Sequence, residues 1–194
     1  KRLVFKVENP NLQNVYLEEL DDLIEGNISV EKAEIFDMVD LSYTPKDGKK
    51  LPMYLSSSMV NQLATVYLYF KYWFKENGGN FLLLDEPEMN LHPEKKLRFV
   101  ETLLNFASEN KLLIATHSSS MAKSIINYIH LFDLQKNKDK SDIEKLINEN
   151  NLKMRADINL SSNDIGIYYF SGDSIVSYKE DNNSNIHFGT FSDL

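Results

Sequence analysis

Residues Phe81 to Pro93 read FLLLDEPEMNLHP. The four apolar residues Phe81 to Leu84 form a run that suits a fully buried strand. Two adjacent carboxylates, Asp85 and Glu86, stop that run, and Pro87 keeps the strand from continuing. Acids at the carboxyl end of a buried parallel strand lie where open α/β sheets bind ligands. Two such neighbours can divide two jobs. One holds a hydrated Mg²⁺, and the other orients or deprotonates a water.

Downstream, a helix is expected over about residues 94–109, with Leu97, Val100, Leu104 and Ala107 on one stripe and Leu103 and Phe106 beside it. Leu112 to Thr116 reads as a second buried strand that ends at His117. Ser118, Ser119 and Ser120 offer caps for a helix through Tyr128, and Ile129 to Leu134 reads as a third strand. Strand, helix, strand, helix, strand predicts a parallel sheet. A polar stretch, 136–162, with a surface helix at Asp142 to Glu149, leads to a hairpin, Gly166 to Phe170 and Ser174 to Lys179.

Upstream, Val60 to Phe74 is the densest apolar stretch and predicts a central helix over about Met59 to Lys75, ended by Asn77-Gly78-Gly79-Asn80. Before it, Asn11 caps a helix from about Leu12 to Glu25 that Gly26 closes. Strands at Ile28 to Val30, Glu34 to Val39 and Leu41 to Thr44 follow, with a hairpin turn at Lys46-Asp47-Gly48-Lys49. The fold class is therefore α/β: a mostly parallel sheet flanked by helices, with antiparallel hairpins at the ends. One domain spans 1–194. It divides into a helix with antiparallel strands (1–50), a motif-bearing core (51–134) and a C-terminal extension with a hairpin (135–194).

The 194 residues suffice for one sizeable core. The net charge of −8 leaves a surface that does not attract nucleic acid as a whole. The basic clusters Lys46, Lys49, Lys50 and Lys136, Lys138, Lys140 read as solvated loops. The absence of cysteine excludes disulfides and thiolate metal sites and suits a reducing cytosol. No apolar run approaches the ~20 residues that a membrane-spanning helix needs.

Asp85 and Glu86 alone could be a solvated acidic turn, and His117 alone a satisfied core histidine. Their shared position at the tips of two strands about thirty residues apart points instead to one rim carrying two acids and an imidazole. Ser56, Ser57 and Ser58 precede a helix. They serve equally well as N-caps or as an anion site at the positive helix end.

In order, LSSSMVNQL, FLLLDEPEMNLHP and LLIATHS resemble the C-terminal half of an ABC-type ATPase. Leu55 to Met59 resembles the signature motif, Phe81 to Glu86 Walker B, Pro87 to Pro93 the D-loop, and His117 the switch histidine. The EPExxLHP wording is similar to that of soluble ATPases near the overcoming-lysogenization-defect nucleases, and of repair and defence ATPases. The resemblance covers about residues 51–126. It implies ATP and Mg²⁺ as cofactors. By it, Asp85 coordinates the metal, Glu86 polarises the attacking water, and His117 contacts the γ-phosphate. Ser56, Ser57 and Ser58 face ATP held by a second protomer, with Asn90 at the dimer seam. Ser58 stands where the family commonly has glycine.

No G-x-x-x-x-G-K-[ST] occurs in the sequence, and the one GK, Gly48-Lys49, lacks the upstream glycine and the following hydroxyl. The chain is thus expected to be the C-terminal part of a longer cytoplasmic ATPase. It would be inactive alone, completed by an N-terminal Walker A segment, and paired as a homodimer of heads, with nucleic acid or a nuclease as a further partner. Two other readings stand beside this one: the ATP-binding subunit of a membrane transporter, and a degenerate module that keeps the fold without turnover.

Overall fold

The computed structural model describes residues 15–32, 39–75, 78–135, 140–149, 152, 160–171 and 173–177. Helix α1 (Val15–Ile24) leads into strands β1 (Gly26–Lys32), β2 (Val39–Pro45) and β3 (Leu51–Pro52), an antiparallel sheet in that order. The first helix ends one residue before its expected closure. Glu25 takes the left-handed conformation (φ 56), and Gly26 already begins β1. Glycine is required there for a close approach: a Cβ would stand 2.4 Å from the Thr44 carbonyl oxygen of β2. The N-cap expected at Asn11 and most of the strand expected at Glu34 to Val39 lie outside the described residues.

A single 3₁₀ turn (Met53–Leu55) precedes helix α2 (Ser58–Tyr72). Then come strand β4 (Phe81–Asp85), helix α3 (Pro93–Ala107), strand β5 (Lys111–Ala115) and helix α4 (Ser119–Gln135). Helix α5 (Lys140–Glu149) and the antiparallel hairpin β6 (Tyr168–Ser171) and β7 (Ser174–Ser177) complete the described chain. β4 and β5 pair in parallel, with Phe81 opposite Lys111 and Asp85 opposite Ala115. The chain is thus mixed α/β, a parallel pair packed against helices, with antiparallel strands before and after it in the sequence. The third parallel strand expected at Ile129 to Leu134 is instead the end of α4. Tyr128, Ile129 and Phe132 are buried at helical spacing, and a short apolar run cannot distinguish strand from helix by periodicity.

The core lies where α1, α2 and α3 meet. Phe106 of α3 stands 5.8 Å from the Tyr16 ring and 5.5 Å from Phe70, both edge-on. Eight consecutive residues of α3, Phe99 to Phe106, are buried, polar ones included. Tyr128 donates to Glu101, and Asn105 donates to Glu19 Oε1 at 3.1 Å. Leu97, expected on the core stripe, is exposed, while Phe99 is fully enclosed. Apolar spacing marks one face, but α3 is covered on several.

The Tyr67 hydroxyl donates to Asp21 Oδ1 at 2.7 Å, and Lys71 Nζ donates to the Ile28 carbonyl at 2.6 Å. Burial raises the Asp21 carboxyl above its ordinary value and lowers the Lys71 ammonium.

The sheet expected to be buried on both faces is covered on one. Leu82, Leu84, Leu112 and Ile114 turn towards the helices, whereas Phe81, Leu83 and Leu113 are 57%, 61% and 55% exposed. The unbroken apolar run is real, yet its burial alternates with the strand period.

Phe106→Ala is expected to lower the unfolding free energy by roughly 3–5 kcal/mol, while Leu97→Ala in the same helix changes it by less than about 1 kcal/mol. Urea denaturation of both variants distinguishes the two positions. A second expectation concerns Asp21. Its folded value is raised, so its contribution is fully present below the unfolded value and is lost as pH climbs through the folded one. Asp21→Asn should therefore gain stability relative to the parent between about pH 3 and about pH 7, and matched denaturation curves at both pH values measure that shift.

Candidate active site

Strand β4 and its neighbour β5 end together, and the parallel register continues one residue past the strand. The Glu86 N–H donates to the Ala115 carbonyl at 2.8 Å. Its carboxylate Oε1 accepts the His117 N–H at 2.7 Å and lies 3.8 Å from His117 Nε2. Glu86 and His117 thus share one rim, as the sequence predicted. The imidazole itself is 85% exposed, while the Glu86 side chain is mostly covered. Asp85 is exposed at the tip of β4.

The turn after β4 is tight. Glu86 has φ 45 and Asn90 has φ 63, both left-handed without being glycine. Each such residue stores of order 1–3 kcal/mol of strain that the surroundings must hold. Met89 N–H donates to the Glu86 carbonyl at 3.1 Å, and Leu91 N–H to the Glu88 carbonyl at 3.1 Å. Buried Pro87 and Leu91 anchor the two ends. His92 then occupies the cap position of α3 with Pro93 as its first helical residue, where a missing N–H costs nothing.

The three serines divide. Ser57 is the N-cap of α2, its Oγ accepting the Val60 N–H at 3.3 Å. Ser56 Oγ donates to the Met53 carbonyl at 2.7 Å and accepts from Asn61 Nδ2 at 3.0 Å. Ser58 is exposed in the first turn of α2. Capping therefore accounts for Ser57 and local turn bonding for Ser56. Tyr54 and Leu55, just before them, stand open to solvent.

Sequence reasoning missed Gln62. Its Nε2 donates to the Glu86 carbonyl at 3.3 Å and so joins the serine-bearing helix to the strained turn. Gln62 lies four residues after Ser58, roughly 6 Å along the helix axis. The available signal was weak: Gln62 is one of several polar residues, with Asn61, Thr65 and Lys71, in a helix that is mostly apolar. Glu88 and Thr116 were missed as well. Glu88 is buried and accepts the Thr116 hydroxyl, although its neighbours in sequence give no sign of burial.

The rim is open. A cavity of about 660 Å³ lies at the other end of the strands, lined by Asn80, Phe81 and Lys111 among others, and includes neither Asp85 nor Glu86. Among the described residues, no group of three or more His, Cys, Asp or Glu is arranged to hold a metal ion. A single exposed carboxylate such as Asp85 suits Mg²⁺, which keeps most of its waters and needs one or two protein oxygens beside substrate phosphates.

Residues 4–122 match the family model of an AAA ATPase domain. The chain belongs to that AAA ATPase family. Membership assigns this AAA ATPase chain to ATP-using domains in general. Its fold is similar to that of an SMC ATPase studied for "ATP-driven dimerization and DNA stimulated activation", at 14% identity and a TM-score of 0.50, over 84% of this chain and 80% of that one. A Pyrococcus furiosus Smc head domain with an extended coiled coil, bound to the C-terminal domain of ScpA, aligns at 16% identity and a TM-score of 0.44. That alignment covers 56% of this chain and 28% of the other, and carries nothing further. No curated protein matches the AAA ATPase chain. No helix among its described residues is long and apolar enough to cross a membrane.

Asn90→Ala is expected to destabilise the protein by about 1 kcal/mol, because alanine gains nothing from the left-handed conformation, whereas Asn90→Gly changes it less. Thermal melts of the two variants give the order.

Proposed function

We propose that these residues form the hydrolytic half of an ABC-type ATPase head that closes on Mg-ATP with a second head. The observation that carries this reading is the bond between the Glu86 carboxylate and the His117 N–H at the ends of two parallel strands. It holds a carboxylate and an imidazole against one small volume, the arrangement needed to activate a water and to meet a phosphate oxygen.

In this reading, Glu86 accepts a proton or a hydrogen bond from the attacking water, and exposed His117 donates to the γ-phosphate. Asp85 would hold Mg²⁺ through water; the ion would offset phosphate charge. Ser58, and the exposed face around Ser56 and Ser57, would meet ATP carried by the partner head, with Asn90 at the seam. The SMC ATPase of similar fold is described as dimerising under ATP and responding to DNA, which supports head pairing and a link to nucleic acid here; a role in defence rests on the EPExxLHP wording alone. A cytoplasmic location goes with ATP use.

The phosphate cradle would come from a Walker A segment outside residues 1–194. The bare face of β4 and β5 supports this. Phe81, Leu83 and Leu113 form an apolar patch on a sheet of only two described strands, where a further strand and helix would bury it.

In the intact ATPase, Glu86→Gln should retain ATP-driven head pairing and lose turnover by about a hundredfold or more. Size-exclusion chromatography with ATP and a phosphate-release assay test both halves, and parental turnover in the variant would remove Glu86 from its role. Residues 1–194 alone should bind Mg-ATP weakly and not hydrolyse it. Tight stoichiometric binding by calorimetry would contradict the missing cradle.

A further inference from the structure

Glu88 carries a carboxylate that the proposed hydrolysis does not use. It is 3% exposed, and among the described residues its Oε2 is enclosed without a hydrogen-bond partner. Burying an acid with one oxygen unpaired costs stability, so packing does not explain it. Its other oxygen, Oε1, accepts the Thr116 hydroxyl.

That one bond organises the next three residues. A hydroxyl has a single proton. Once Thr116 commits it to Glu88, the oxygen's lone pairs are fixed, and they accept the Ser118 N–H at 2.9 Å. Ser118 Oγ in turn accepts the Met121 N–H at 3.3 Å and so caps α4. His117 sits between the two tethered residues, its own N–H held by Glu86. The acidic turn after β4 thus grips the loop after β5 at two points, through Glu86 and through Glu88.

We propose that Glu88 is a positioning residue: through Thr116 it sets the loop that presents His117, so that strain or movement in the turn at Glu86–Asn90 is passed directly to the imidazole. Its catalytic consequence rests on the ATPase reading above, while the tether itself does not.

The test uses the intact ATPase with Glu88→Met, Glu88→Gln and Thr116→Val. Glu88→Met and Thr116→Val should each lower kcat about tenfold or more, with KM for ATP within about twofold and the melting temperature retained. Glu88→Gln keeps an acceptor oxygen for Thr116 and should recover kcat to within about threefold. Hydrogen exchange at the His117 and Ser118 amides should quicken about tenfold in Glu88→Met and Thr116→Val, while Leu113 stays unchanged. Parental kcat or unaltered exchange in these two variants overturns the proposal, as does a Glu88→Gln protein as impaired as Glu88→Met. If Glu88→Met fails to fold, Thr116→Val decides. If the parent shows no ATP turnover, the ATPase reading fails and the exchange measurement alone judges the tether.

Discussion

The arrangement depends on how Glu86 is fastened. Its N–H joins the β5 ladder at Ala115, and its carboxylate receives the next free N–H of that strand's exit, at His117. Main chain and side chain of one residue therefore fix both the last residue of β5, Ala115, and His117 two residues beyond it. The left-handed φ at Glu86 makes this possible by turning the chain sharply while the side chain stays over the sheet end. A looser exit from β4 would leave acid and imidazole on separate loops. Gln62 adds a third attachment through the Glu86 carbonyl, so the serine-bearing helix cannot shift without disturbing the same turn.

The helices carry the load that the two-stranded sheet cannot. Two parallel strands alone bury little. Here α3 packs on one face and is itself enclosed by α1 and α4, which explains why Glu101 and Asn105 are buried yet bonded. The apolar half of the sheet that meets α3 gives the strands a fixed seat. The rim then inherits the rigidity of the helical core rather than that of the strands.

Much of this was readable in FLLLDEPEMNLHP and LLIATHS, because strand tips and apolar periodicity are local properties. The pairing of β4 with β5 and the meeting of Glu86 with His117 follow from them. The unreadable part is tertiary. Ile129 to Leu134 is as apolar as a strand, and only its continuation from α4 makes it helix. Leu97 fits a stripe but faces out, since the neighbours of α3 decide which of its sides is covered. Burial of Glu88 depends on Thr116, twenty-eight residues away, and no periodicity encodes that. The serines were ambiguous because the same hydroxyl geometry caps a helix and binds an anion, and in Ser57 the cap is made.

Lys111 lies in register with Phe81 at the start of β5, exposed beside Leu113 on the face without helices. A flat apolar strand pair with open edges is a template for stacking copies into fibrils. One ammonium in that patch makes such stacking bring like charges together, and it would have to give up its water to do so. Residues 1–194 alone would therefore carry a gatekeeper in Lys111, a charge set against the pairing of copies until a further strand and helix cover Phe81, Leu83 and Leu113.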